Sequence, residues 1–321
     1  MKILVTGSSG HLGEALVRTL REAQHDVVGI DIVASPFTDH VGSIADRGFV
    51  RACIAGGIEA VLHAATLHKP HVATHPRQAF VDVNITGTLN LLEEAVAARH
   101  VGAFVFTSTT SAFGAALSPP PGAPAAWITE DVAAVPKNIY GATKTAAEDL
   151  CQLFHRDHGL ACLVLRTSRF FPEGDDDDAR RAAYADANLK ANEFLYRRVE
   201  LEDVVGAHLQ ALARAPDLGF GKFIISATTP FVPADLAELR HDAAAVLKRR
   251  VPGVEAVYAA RGWKLPAEID RVYVNARART LLGWQPRHDF ARVLRSVQDG
   301  EDFRSPLART VGAKGYHPEL T

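Results

Sequence analysis

Lys2-Ile-Leu-Val-Thr6 is a short apolar run of strand character, and the period changes directly after it. Leu12, Leu16, Val17 and Leu20 recur at i, i+4, i+5 and i+8, with Glu14, Arg18, Arg21 and Glu22 on the other side, as in a helix with one apolar face. The same alternation continues along the chain. It predicts strands at Ile3–Val5, Val27–Ile30, Ala60–His63, Phe104–Thr107 and Cys162–Leu165, and helices near 11–24, 80–99 and 140–158. Strands that alternate with helices imply an α/β fold, a doubly wound parallel sheet with helices on both faces. Ser118-Pro-Pro-Pro-Gly-Ala-Pro124 interrupts the pattern, because prolines at that density continue neither a helix nor a central strand. It reads as a surface loop approaching the site ahead of the third helix. After residue 168 the character changes again, to the run Asp175 to Asp178 and an alanine-rich stretch, before a strand returns at Lys222-Phe-Ile-Ile-Ser226.

Composition narrows the function classes. The 321 residues are 47% hydrophobic, enough for a globular protein with one large core or two. A formal charge of −2 and a pI near 6.7 argue against general affinity for nucleic acid or anionic membrane. Basic pairs such as Arg180-Arg181 and Arg197-Arg198 read as local features. No apolar run reaches the ~18 residues of a spanning helix, and Met1 leads straight into a strand, so no membrane segment or signal peptide is expected and the reading is cytoplasmic. Cys53, Cys151 and Cys162 are odd in number and set in apolar stretches, as expected of buried thiols in a reducing compartment.

Candidate chemistry begins at the first strand-to-helix junction. Gly7, Gly10 and Gly13 fit a tight turn, a close approach of backbone to a pyrophosphate, and helix-on-strand packing, with the anion at the helix N-terminus. The next strand ends in Asp31, 18 residues beyond Gly13, where an acid can hydrogen-bond a ribose 2′-hydroxyl. Residues 32–39 contain no Arg or Lys for a 2′-phosphate, which favours NAD over NADP. Tyr140 and Lys144, four apart on a predicted helix, share one face. An ammonium beside a phenol favours the phenolate and suits a proton shuttle near neutral pH.

With these residues in order, the chain resembles the extended short-chain dehydrogenase/reductases, the group of NAD-dependent epimerases and dehydratases. The likeness runs from residue 2 to about 290 and follows the family's order: Thr6 to Gly13, Asp31, His63-Ala-Ala65, Asn84, Ser108 to Gly114, and Tyr140 to Lys144. It implies a Rossmann core over 1–167 and a small C-terminal substrate-binding lobe over 168–198 and 228–275, with 199–227 and 276–321 returning to the core and forming the C-terminal tail. It also implies NAD held by Gly7, Ser9, Gly10, His11, Leu12 and Gly13 at the turn, Asp31 and Ile32 at the ribose, and Ser43 and Ile44 beside the adenine. Ala64 and Ala65 would floor the dinucleotide. Asn84 would lie behind the nicotinamide, unless it is an ordinary helix N-cap. Tyr140 and Lys144 would contact the cofactor and, with Thr109, form the catalytic set. Thr66, Ser108, Ser111, Arg169 and Arg197 are substrate-side candidates. The partner would be a small-molecule substrate, and the assembly a homodimer through the helix after Asn84 and the Tyr140 helix, using Leu150, Leu153 and Phe154, although those residues could equally face the chain's own sheet.

Several positions depart from the family pattern. Ser43 replaces an aspartate. Arg169 stands where sugar-nucleotide enzymes carry an asparagine, and Tyr196 stands where a phosphate-binding arginine often lies, with Arg197 adjacent. Thr110 and Ser111 follow Thr109 where dehydratases have an acid pair, so dehydration is disfavoured. Phe113 replaces a tyrosine. His63, His68, His71 and His75 crowd one segment, but no Cys or neighbouring carboxylate completes a ligand set, so no metal is expected. Because this loop borders the pocket in relatives, the resemblance implies a substrate contact by His68 or His71. The aspartate run reads as a solvated loop. The expectation is an NAD-dependent epimerase of a sugar or nucleotide sugar. The alternative is a dehydrogenase/reductase of a small hydroxy or keto substrate with net NAD turnover. A non-catalytic dinucleotide sensor is disfavoured by the intact Tyr140 and Lys144.

Overall fold

The computed structural model describes residues 1–175 and 177–315. Nine strands run β1 (Lys2–Thr6), β2 (Asp26–Asp31), β3 (His40–Val41), β4 (Ala60–His63), β5 (Ala103–Thr109), β6 (Ala126–Ile128), β7 (Cys162–Thr167), β8 (Phe220–Ile225) and β9 (Arg271–Tyr273). In the first half the helices are α1 (His11–Glu22), α2 (Arg47–Ile54), α3 (Arg77–Phe80), α4 (Gly87–Ala98) and α5 (Ile139–His158). They continue with α6 (Asp178–Ala183), α7 (Asp186–Glu193), α8 (Leu201–Leu218), α9 (Leu236–Leu239), α10 (Ala243–Arg250), α11 (Val254–Ala260), α12 (Phe290–Asp299) and α13 (Pro306–Val311).

Seven strands form one sheet in the order β3-β2-β1-β4-β5-β7-β8, every neighbouring pair parallel. Successive strand residues face opposite sides, and the two sides bury different partners. Ile3 and Val5 join Leu12, Leu16 and Leu20 of α1 and Val204 and Ala211 of α8. Leu4 joins Val50 and Ile54 of α2, Leu91 and Leu92 of α4, and Cys151 and Phe154 of α5. The strand order reverses at β1 and β4, so their carboxyl ends open the crevice where ligands of such sheets bind. The three cysteines are buried free thiols.

A second apolar cluster holds Phe194, Leu195, Phe231, Leu247, Val254, Tyr258 and Val272, edged by the β6–β9 pair. The stretch 276–321, expected to return to the core and form the C-terminal tail, divides between two clusters, and its residues 316–321 lie outside the described residues. Ala278, Leu282, Trp284 and Val311 pack on the sheet, whereas Phe290, Val293 and Val297 of α12 belong to the second cluster, with Phe290 against Tyr258. The helix expected near 80–99 is also broken, since Val81–Thr86 form a wide π-helical turn between α3 and α4. Of the apolar residues assigned to a dimer face, Phe154 is buried in the chain's own core, Leu150 packs against it, and Leu153 is exposed.

Candidate active site

Backbone geometry builds the first wall. Gly7 has φ +72°, and a Cβ there would lie 2.8 Å from the Ala65 nitrogen; a Cβ on Gly13 would lie 1.8 Å from the Gly7 carbonyl oxygen. Turn, helix and the Ala64-Ala65 strand end therefore meet backbone to backbone. Thr6 Oγ1 accepts the N–H groups of Ala64 (3.1 Å) and Ala65 (3.0 Å) and bonds His63 Nδ1 at 2.8 Å. His63 Nε2 continues to Thr88 Oγ1 at 3.0 Å, whose hydroxyl donates to the Asn84 carbonyl. Burial, aided by the Lys144 charge, keeps the His63 imidazole neutral by holding it well below its ordinary pKa. This histidine ties strands together.

Asp31 ends β2 beside the turn. Its Oδ2 accepts the Ser9 N–H and its Oδ1 the Val33 N–H, each at 3.0 Å, and each oxygen keeps a further lone pair. Gly7, Gly10, His11, Leu12, Gly13, Asp31, Ile32, Ser43, Ile44, Ala64 and Ala65 all line one cleft of about 1080 Å³. Ser43 Oγ accepts the Ala45 N–H at 3.2 Å, and Ile44 is buried. The same cleft reaches Thr66, His68, Thr109, Ser111, Tyr140, Arg169 and Arg197. Ser9, Asn84 and Lys144 are buried residues supporting this wall.

Asn138 caps α5 by accepting the Gly141 N–H, and Tyr140, Lys144 and Glu148 then follow at i, i+4 and i+8 on its buried face. Lys144 Nζ donates to the Thr107 carbonyl at 2.6 Å and sits 4.0 Å over the Phe106 ring. Burial pushes this ammonium down to about 7, against the opposing pull of Glu148. Glu148 is fully buried and holds Arg166 through contacts of 2.7 and 3.0 Å. Burial alone would raise its pKa, but Arg166, Lys222 and Ser108 together lower it. Ser108 Oγ donates to Glu148 at 2.6 Å, so its hydroxyl braces α5, and the residue also lines the cleft. Thr109 Oγ1 accepts the Ser111 N–H at 3.1 Å and retains a hydrogen to donate into the cleft.

Asn84 is no N-cap. From within the π-helical turn its Oδ1 accepts Thr66 Oγ1 and the Leu67 N–H, each at 2.9 Å, while Nδ2 donates to the Leu67 carbonyl and Thr143 Oγ1. One amide thus fastens the loop after β4 to α5, and it engages the hydroxyl of Thr66, a substrate-side candidate. In the histidine segment, the His68 N–H donates to His71 Nδ1, and the His68 ring lies 6.2 Å from that of Tyr140. Burial, with the nearby His71 and Lys144 charges, takes His68 to about 3.

The substrate side is dense with arginines. Arg169 donates to the carbonyls of Glu173 and Gly174, and Arg197 pairs with Asp175 at 2.5 Å and with Glu193. Arg198 holds the same Glu193 at 2.8 Å. Burial would raise Glu193, but Arg197, Arg198 and Arg169 hold it at about 2. The aspartate run is accordingly not one solvated loop: Asp175 is buried against Arg197, Asp177 caps α6, Asp178 is exposed, and Asp176 lies outside the described residues. Tyr196 is buried, and its hydroxyl accepts Arg180 at 2.9 Å. Sequence reasoning missed Arg181, Arg271, Phe171, Lys314 and Gly315, which also line the cleft, because no spacing links them to the glycine turn.

Comparison with known proteins finds that the model of the NAD dependent epimerase/dehydratase family matches residues 3–218. The UDP-glucose 4-epimerase of Lactobacillus helveticus is 25% identical over 324 residues, covering 90% of this chain and 93% of its own length. A Bacillus subtilis protein described as an uncharacterized UDP-glucose epimerase, YtcB, is 29% identical over 189 residues; that match covers 52% of this chain and 55% of the relative. Against that relative, then, the chain spans about half the length. Among solved structures, a short-chain dehydrogenase/reductase superfamily protein from Agrobacterium tumefaciens with bound NAD superposes with a TM-score of 0.66 at 25% identity, covering 93% of this chain and 96% of that one.

Proposed function

The chain belongs to the NAD-dependent epimerase/dehydratase family, and from that premise we propose that it is an NAD-dependent epimerase of a sugar or nucleotide sugar, with Tyr140, Lys144 and Thr109 as its catalytic set. The observation that carries the reading is one cleft with the glycine turn and Asp31 at one end and Tyr140 and Thr109 at the other. The turn fits a dinucleotide because Gly7 and Gly13 leave no room for a Cβ where turn, helix and strand end pack backbone to backbone, and Gly10 between them lets the backbone approach a pyrophosphate. Asp31 fits a ribose diol, which favours NAD.

Bound NAD supplies a reversible hydride acceptor. Around it, Thr109 orients the substrate hydroxyl, and Tyr140 as phenolate accepts that hydroxyl's proton while the carbinol C–H bond breaks. Lys144 favours the phenolate. Tyr140 would return the proton to the carbonyl oxygen once the substrate presents its other face, and with NAD supplying the reversible hydride chemistry the centre would invert with no net oxidation. Thr110 and Ser111 offer no carboxyl group to expel a neighbouring hydroxyl, which argues against dehydration.

A dehydrogenase/reductase with net NAD turnover is the second reading, favoured by one feature: Arg197 is already committed to Asp175 and Glu193, which weakens it as a diphosphate clamp and leaves room for a small hydroxy or keto substrate. Assembly as a homodimer through α4 and α5 and residence in the cytoplasm belong to the same proposal. Among the described residues no helix is long and apolar enough to cross a membrane. Tyr140→Phe tests the catalytic assignment. A loss of about a hundredfold or more in turnover is expected, and a loss below about tenfold would count against the phenol.

A further inference from the structure

The segment following α13 returns to the glycine turn from the far end of the chain. Glu173 is the hub of this contact: its Oε1 lies 2.9 Å from His11 Nε2 and accepts the N–H groups of Lys314 and Gly315, each at 3.1 Å. The Lys314 nitrogen is also 3.1 Å from His11 Nε2. A ring nitrogen facing a carboxylate carries the proton, so His11 donates to Glu173 and the Lys314 N–H does the same. Lys314 Nζ pairs with Glu14, in the first turn of α1. Glu14 is buried beside the place where an anion would meet the helix N-terminus, and it also holds Arg18 at 2.7 Å. The two cations offset a carboxylate that would otherwise repel a pyrophosphate. His11, Gly174, Lys314 and Gly315 line the same cleft as Gly7, Gly10 and Gly13. The floor of that end is therefore the turn, and Gly174 with Lys314 and Gly315 forms part of its wall.

We propose that Glu173 and Lys314 form a clasp that holds residues 314–315 beside the pyrophosphate end of the dinucleotide site and slows cofactor release. This inference rests on the NAD reading above. Retention suits an epimerase, because the reduced cofactor must stay in place while the ketone presents its other face. Neither residue touches the reacting atoms, so both are positioning residues. Local spacing gives no sign of this pair, because Glu173 and Lys314 are 141 residues apart.

The test is the release rate of NADH from the full-length protein, followed by stopped-flow fluorescence on displacement with excess NAD, alongside the melting temperature of the cofactor-free protein. Glu173→Ala should release NADH at least about tenfold faster and Lys314→Ala about threefold faster or more, with cofactor-free melting temperatures within a few degrees of wild type. Glu173→Gln, which keeps an acceptor oxygen without the charge, should fall between wild type and Glu173→Ala. If Glu173→Ala does not fold, Lys314→Ala, on the segment beyond the last helix, decides alone. Release rates within twofold of wild type in the folded variants would overturn the clasp while leaving the NAD reading intact. Wild-type protein that binds no NADH would overturn both.

Discussion

Glu148→Gln probes α5, the helix proposed to carry catalysis, from behind. The carboxylate is fully buried, and its partner Arg166 is 4% exposed. It accepts Arg166 Nη2 at 2.7 Å, Arg166 Nε at 3.0 Å and Ser108 Oγ at 2.6 Å, with Lys222 Nζ at 3.2 Å. Glutamine keeps the shape and one acceptor, but it turns an NH₂ toward a guanidinium and leaves that charge buried without an opposing one. Breaking a buried pair from one side costs about 3–5 kcal/mol. A pair at ~4 Å with an effective dielectric constant near 20 gives about 4 kcal/mol, in the same range. Against a typical stability of about 5–15 kcal/mol the variant should still fold. Urea denaturation followed by circular dichroism should show a loss of about 3–5 kcal/mol. The same change reaches catalysis, since Glu148 raises the Lys144 pKa and its removal should leave that ammonium further below about 7. The alkaline limb of the rate profile, where Lys144 loses its proton, should then move to lower pH. A stability loss under about 1 kcal/mol with an unmoved profile would refute the view that Tyr140, Lys144 and Glu148 act as one braced stack.

Other perturbations separate the remaining parts of the account. Gly13→Ala places a Cβ 1.8 Å from the Gly7 oxygen and 2.5 Å from its carbonyl carbon, so the turn must open. NADH affinity by fluorescence titration should fall more than about tenfold, with a stability cost of roughly 1–3 kcal/mol. His208 is fully buried between Thr107 Oγ1 and the Val204 carbonyl, and burial lowers its pKa to about 4. Between pH 6.5 and 4 the unfolded chain binds the proton that the fold refuses, so stability falls as pH drops through that window, by about 3 kcal/mol at pH 4, and is independent of this group above it. His208→Gln should flatten that part of the stability profile measured by urea midpoints. Asn84→Ala should cost about 2–4 kcal/mol by leaving Leu67 and Thr143 groups without their amide, and the Leu67 amide should exchange hydrogen faster.

Local signals carried most of the nucleotide end. The period shift between β1 and α1, the glycine spacing and Asp31 at the end of β2 describe contiguous chain, and the structure gathers them into one crevice. The Tyr140–Lys144 spacing was readable for the same reason, because a helix turns it into a shared face. What sequence missed was long-range pairing. Ser108 looked like a strand-end hydroxyl until Glu148, forty residues later, captured it. Asp175 read as solvated because its guanidinium partner, Arg197, comes from 22 residues later, past the end of α7. Phe290, Val293 and Val297 gave a clear apolar face, but nothing in that pattern says which of two cores it covers. Asn84 had the composition of a cap, and only the π-helical turn reveals it as a four-way tie.

The central claim is that Tyr140, aided by Lys144, moves the proton that accompanies hydride transfer to and from a cofactor that stays bound. It is tested most directly by following absorbance at 340 nm and product stereochemistry together, using protein purified with its cofactor and challenged with nucleotide sugars, free sugars and small hydroxy acids. The account predicts inversion at one carbinol centre with no NADH accumulating in solution, and loss of that inversion in Tyr140→Phe. Stoichiometric NADH release with an oxidised product, or inversion undiminished in Tyr140→Phe, would contradict it.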